Sequence, residues 1–343
     1  MEPAEVLVFA SVLAIIVVSL LSNVLVLICF VYSPEIRKQA PGLFNLNLTF
    51  CNLLLTVANM PLTLAALAGS AQPGGDALCR AAGFLETFLS TNSMLSMAAL
   101  SIDRWVAVVF PLRYHSKMRH RDAALVLGYA WAHSIGFSMA ATCLSWLGYH
   151  RLYAACTLAA PRDRAGGRTP FVVFTVLFHS FTFLLSLVVL CVTYLKVLKV
   201  ARFHCRRIDV ITMQTLVLLV DIHPSVRQRC LEEQRRRRQR ATRKISTFIG
   251  TFMLCFAPYV ITRIVELFPA VPISPHWGTV SKCLAYSKAA CDPFVYSLLR
   301  HQYRKTCGDI ADRLLKRSRS LNGSGLGVRG GRGGRGGALP RAE

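Results

Sequence analysis

The sequence predicts an all-α membrane protein: a seven-transmembrane helix bundle with an amphipathic interfacial helix after the seventh span. Three observations predict it. Hydrophobic residues make up 53% of the 343 residues and charged ones only 17%, with a mean hydropathy of +0.44; a soluble domain carries about a quarter charged residues. The apolar residues are blocked rather than periodic, in runs at 6–31, 42–68, 78–110, 122–147, 170–202, 238–268 and 276–299. Each run is near the ~20 residues that cross a bilayer. Finally, basic residues crowd 113–121, 199–207, 227–244 and 300–319. By the positive-inside rule those segments are cytoplasmic, the N-terminus is outside and the C-terminus inside. Arg151, Arg162, Arg164 and Arg168 weaken the contrast in one outer loop. The net charge of +23 therefore reads as topology, and no nucleic-acid partner is expected.

Taken in order, Met1–Glu5 has no basic n-region and no cleavage site, so the first span is expected to be its own signal anchor. Ser22 and Asn23 in that span suit helix–helix hydrogen bonds. The second span holds Asn45, Asn47, Asn52 and Asn59, and Pro61 should kink its outer half. The third, fifth and sixth spans are long enough to project beyond the hydrocarbon. The third carries Glu86 and ends in Asp103-Arg104-Trp105, with Pro111-Leu112 beyond. Ionisable groups at a span are costly and usually functional, although a lone arginine would merely snorkel.

Residues 148–169 read as a polar loop, and 203–237 as the longest internal segment. The apolar run Met213–Val220 is too short to cross; it lies on the inner leaflet or extends a helix. Arg235–Arg238 reads as a lipid-facing cytoplasmic flank. Tyr303, Cys307, Ile310 and Leu314 recur at helical spacing among Arg304, Lys305, Arg313 and Lys316, which makes the interfacial helix. Cys307, on its apolar face, is a palmitoylation candidate or an unmodified thiol. Residues 1–317 thus form the membrane domain, and 318–343 a Gly/Arg-rich cytoplasmic tail expected to be disordered. Of 12 cysteines, Cys79 and Cys156 face the oxidising side, where a disulfide is permitted. There is no metal-spaced His/Asp/Glu cluster, no nucleophile–base pair and no internal repeat. An enzyme and a transporter are therefore disfavoured, and no cofactor or metal is expected.

Two further stretches make the pattern specific. The sixth span contains Phe252-Met253-Leu254-Cys255-Phe256-Ala257-Pro258, and the seventh ends Asp292-Pro293-Phe294-Val295-Tyr296. In this order after Asp103-Arg104-Trp105, they resemble the motifs of rhodopsin-like (class A) G-protein-coupled receptors. Trp131 matches that family's tryptophan in the fourth span, and the likeness covers about 1–317. A narrower match, to one orphan branch, is carried by His223–Arg227, Lys244–Phe248 and Cys283–Lys288.

The resemblance implies a plasma-membrane receptor that engages a heterotrimeric G protein by conformational change. Arg104 would contact a G-protein helix once the sixth span moves outward about Pro258. Pro293 would free backbone groups, and Tyr296 would reach inward. Cys79 and Cys156 match the family's outer disulfide. The orphan branch implies stimulatory coupling, cyclic AMP production and ligand-free activity; an agonist-dependent receptor with another G-protein preference is the alternative. The family's ligand pocket would be lined by Glu86, Arg263, Glu266 and Lys282. Glu86 lies eighteen residues, or five helical turns, before Arg104. Glu86 and Lys282 either neutralise one another or meet a ligand directly.

The departures from the family matter as much. Asn52 replaces the acid that binds sodium in most members. Phe256 replaces a tryptophan, Ser186 a proline, Trp105 a tyrosine, and Arg238 an acid on the sixth span. Lys288 precedes Asp292 by four residues and shares its helical face, so an internal ion pair is expected in place of sodium. The alternative sends Lys288 between helices to water.

Overall fold

The computed structural model describes residues 3–69, 72–160, 168–218, 224–268, 270–298 and 300–324. Within these, seven long helices lie side by side: α1 (Pro3–Tyr32), α2 (Ala40–Gly69), α3 (Gly75–Val109), α4 (His120–Cys143), α5, α6 (Pro224–Val265) and α7. α5 runs through Arg168–His179, Ser180–Leu184 and Leu185–Leu218, and α7 through Pro275–Asp292 and Pro293–Leu298. An eighth helix, α8 (His301–Ser324), follows. Between α4 and α5 in the chain, β1 (Leu147–His150) and β2 (Ala155–Leu158) pair antiparallel, Leu147 opposite Leu158.

α1 packs on α2 and α7, α2 on α3 and α4, α3 on α4 and α5, α5 on α6, and α6 on α7. The ring closes with α3 at its centre, which explains α3's composition. Its buried face carries Thr91, Asn92, Ser93, Ser96 and Ser101, small polar residues that let helices approach and bond in a membrane. Such residues dilute α3, so among the described residues only α1, α2, α4, α5 and α6 hold an apolar window sufficient by composition alone.

Three helices contain a π-helical turn: Leu55–Asn59 in α2, Ser180–Leu184 in α5 and Pro293–Leu298 in α7. The first sits directly before Met60-Pro61. Proline lacks an N–H and its ring crowds the carbonyl four residues back; widening the turn there accommodates both faults. The α5 turn ends two residues before Ser186, and loosens that helix without the family's proline.

Four expectations need correction. The fourth span ends at Cys143, not 147. Ser145 takes a left-handed φ of 58°, and the Trp146 N–H turns back to the Ala141 carbonyl at 2.9 Å. The segment 148–169, read as a polar loop, instead begins as a hairpin whose second strand is buried throughout. The fifth and sixth spans, read as 170–202 and 238–268, run further: α5 extends to Leu218 and α6 begins at Pro224, so of the two readings left open for the run from Met213 the helix extension is the one seen; Leu219 and Val220 lie outside the described residues. α8 reaches Ser324, past the expected boundary at 317, while 325–343 lie outside the described residues.

Candidate functional site

Three polar centres lie along the bundle. The outer one is built on the hairpin. Cys156 on β2 is bonded to Cys79 near the start of α3, which fixes the hairpin over the helix ends. Tyr153, from the turn Arg151–Tyr153, is fully buried. Its hydroxyl donates to Glu266 at 3.0 Å, and its ring packs on Tyr259 of α6 at 5.2 Å. Arg263 stacks over that ring, donates to the Leu158 carbonyl at 2.8 Å, and pairs with Glu266 at 3.0 Å. His150 meets the other Glu266 oxygen at 2.5 Å. Thr157 and Tyr259 share a hydrogen bond of 3.1 Å.

Beneath the hairpin, Lys282 pairs with Glu86, and both are buried. The pairing reading of Glu86 and Lys282 is therefore the one seen. Lys282 also lies over the rings of Tyr259 and Tyr286, at 4.5 and 5.1 Å. The cavity bounded by Glu86, His179, Phe256, Tyr259, Arg263 and Lys282 measures about 40 Å³. That volume suits about three or four waters, at roughly 10–15 Å³ each. Neither ring nitrogen of His179 has a protein partner among the described residues, and such a water would satisfy them.

The middle centre is a closed polar ring. Lys288 Nζ lies 2.9 Å from Asp292 Oδ2 and donates to Asn52 Oδ1 at 2.7 Å. The Asn52 amide nitrogen donates to Asp292 and to Asn23 Oδ1, each at 3.2 Å. Asn23 in turn donates to the Ala289 carbonyl at 2.9 Å, which ties α1 to α7. All four side chains are buried. The donor set does not suit a sodium ion: an ammonium already sits against the carboxylate, and Asn52 spends its oxygen on that ammonium. Among the described residues no cluster of His, Cys, Asp and Glu could hold a metal.

From the outer chamber, aromatic rings of α6 lead inward at helical spacing. Phe256 packs on Phe252 at 5.2 Å, and Phe252 stacks on Phe183 in the π turn of α5 at 5.6 Å. One turn on, Phe248 stacks on Tyr194 at 5.3 Å and meets Tyr296 at 5.1 Å. Pro258 lies inside α6, and its carbonyl accepts from Thr262 at 2.6 Å.

Phe248 and Tyr296 reach the third centre, a cavity of about 900 Å³ lined also by Arg104, Arg243, Thr247 and Arg300. Asp103 is buried and accepts from Tyr114 at 2.7 Å. Burial, then that bond, holds the Tyr114 phenol well above its usual range, so it stays a donor. Arg300 is pushed down to about 10, first by burial and then by the like charge of Arg104. Trp105 turns aside, edge-on to Phe110 at 6.1 Å and beneath Lys196 at 5.1 Å. The side chain of Arg238 lies outside the described residues. Cys307 Sγ lies 3.3 Å from Cys29 Sγ, so the apolar face of α8 rests on α1.

The structure thus gathers Glu86, Arg263, Glu266 and Lys282 at the outer end, Asn52, Lys288 and Asp292 in the middle, and Arg104 with Tyr296 at the inner end. Sequence reasoning missed Tyr153, His150, Tyr259 and Tyr114. Tyr114, two residues beyond Leu112, had a nearby motif to flag it; the hairpin residues had none.

Comparison with known proteins agrees with this geometry. A family profile described as 7 transmembrane receptor (rhodopsin family) matches residues 22–296. The chain is 71% identical over 309 residues to G-protein coupled receptor 26 of Homo sapiens, covering 90% of this chain and 91% of the relative. It is 50% identical over 318 residues to G-protein coupled receptor 78 of Homo sapiens, covering 93% and 87%. At 24% identity over 315 residues, 5-hydroxytryptamine receptor 4 of Homo sapiens is a more distant relative, with 89% and 78% covered.

Proposed function

Because the chain belongs to the rhodopsin family of seven-transmembrane receptors, we propose that it signals without added ligand through a stimulatory G protein, raising cyclic AMP. It is a receptor and not an enzyme, and its class implies a heterotrimeric G protein as partner. The N-terminus faces outside and the C-terminus the cytoplasm, following the basic segments around the inner loops.

The observation that carries the reading is the cytoplasmic cavity. An α-helix with side chains is about 10–12 Å across. A cavity of about 900 Å³ therefore admits roughly two turns of one, at 5.4 Å each. Arg104 and Arg300 line its walls and suit carbonyl and carboxylate groups at a helix C-terminus, where the dipole is negative. Trp105, held away against Lys196, leaves Arg104 as the motif residue facing the partner. The middle ring supports ligand-free activity: a ligand shifts a receptor only by binding its states unequally, and the ring leaves no place for a sodium ion to do so.

The test is Arg104→Ala. At matched surface expression, cyclic AMP made without ligand should fall to the level of untransfected cells. Undiminished cyclic AMP would remove Arg104 from the coupling role. A wild-type level that stays flat as expression rises would instead favour an agonist-dependent receptor.

A further inference from the structure

The outer chamber holds very little space and a great deal of this chain's own loop. Small-molecule sites usually measure about 300–1,000 Å³, whereas the cavity beside Glu86 and Lys282 measures about 40 Å³. The missing volume is filled by the hairpin. Tyr153 is 0% exposed and β2 is buried along its length.

The hairpin is seated by specific groups, as a ligand would be. Its turn fits a notch in α7: a Cβ built on Gly278 would collide with the Leu152 carbonyl and side chain. On α6 and just past its end it engages Tyr259, Arg263 and Glu266 through Thr157, Leu158, His150 and Tyr153. The bond to Cys79 makes the attachment to α3 covalent. One short segment therefore bridges α3, α6 and α7 from outside. In the same structure the cytoplasmic cavity beside Arg104 is open at about 900 Å³.

We infer that the hairpin Leu147–Leu158 is the receptor's built-in peptide agonist, docked between α3, α6 and α7 and holding them in the signalling arrangement. The inference rests on the ligand-free activity proposed above, and names its source. Tethering explains how so small a peptide suffices. A segment fixed at both ends acts at an effective concentration of about millimolar or more and loses little freedom on docking.

Two variants test it in the full-length receptor. Gly278→Leu fills the notch from α7 and evicts Leu152, while a glycine-to-leucine change favours the helix itself. Tyr153→Ala withdraws the fully buried side chain of the plug and leaves Arg263 and Glu266 paired with each other, so no charge is stranded. Two readouts are taken: cyclic AMP per surface receptor without ligand, and hydrogen exchange of the amides over 147–158. Docking predicts that exchange quickens in both variants and that cyclic AMP falls about fivefold or more, the low end of usual coupling strengths. Faster exchange with unchanged cyclic AMP overturns the agonist role, and faster exchange with raised cyclic AMP makes the hairpin an inhibitory lid instead. Unchanged exchange in both overturns the docking. A flat wild-type signal would overturn the ligand-free reading and this inference together, whereas a normal wild-type signal untouched by either variant would overturn this inference alone.

Discussion

Lys288 decides what the middle of the bundle can hold. A lysine this buried is tolerated because Asp292 and Asn52 take up its ammonium. A sodium ion needs oxygen ligands and preferably a carboxylate; the ammonium and the Asn52 amide take Asn52 Oδ1 and Asp292 Oδ2, and only Asp292 Oδ1 is left without a partner among the described residues. A second cation about 4 Å from the ammonium would also be repelled by about 4 kcal/mol at an effective dielectric of 20. Ligand-free cyclic AMP should therefore stay constant when sodium is replaced by a bulky organic cation at fixed ionic strength. A sodium-dependent fall would contradict the pairing. Stability offers a second check. Lys288→Met strands a buried carboxylate and should cost about 3–5 kcal/mol, whereas Lys288→Met with Asp292→Asn removes both charges and should recover most of that. Surface expression and thermal unfolding of the purified receptor read the difference; equal losses in the single and double variants would show that charge is not what holds the ring.

At the scale of elements, the sequence was legible wherever one helix explained itself. Blocked apolar runs marked every span, because a membrane span must satisfy its own backbone and announce itself by length; they missed how far α5 and α6 run on past the apolar stretch, to Leu218 and from Pro224, where polar and basic residues continue the helix. Lys288 and Asp292 were legible because four residues on one helix always share a face. The hairpin was not. His150 and Tyr153 read as part of a polar loop, and the burial of Tyr153 comes from a disulfide spanning 77 residues and a glycine notch on a distant helix. The end of α4 was obscured for a related reason: Ser145, not glycine, takes the positive φ. The hairpin's dependence on tertiary anchoring yields a prediction. Cys79→Ala with Cys156→Ala should cost about 2–5 kcal/mol, and in the purified receptor should lower Tm and quicken exchange over 147–158 together. A lowered Tm with unchanged hairpin exchange would mean that the disulfide braces α3 alone.

The whole molecule places two cavities at opposite ends of one helix. Tyr259 and Phe256 bound the outer one, Phe248 lines the inner one, and Phe252 lies between. Packed rings are poorly compressible and have discrete arrangements, so α6 can carry a docked hairpin's bias to the wall that Tyr296 and Phe248 share. Coupling of this kind is reciprocal: if the docked hairpin favours the G-protein-binding state, then bound G protein must favour the docked hairpin by the same factor. Nucleotide-free stimulatory G protein added to purified receptor should therefore slow exchange of the hairpin amides, about 5- to 150-fold if the coupling is of ordinary strength. The amides of α1, which contributes no residue to the lining of either cavity, serve as the reference. Phe252→Ala should cut the link: hairpin exchange without G protein stays near the wild-type rate, while the slowing on G-protein binding shrinks. Full slowing in Phe252→Ala would move the coupling off the α6 rings. No slowing in the wild type, with G protein demonstrably bound, would mean that the two ends of α6 are energetically independent, and that the loop filling the outer chamber does not set what the inner one binds.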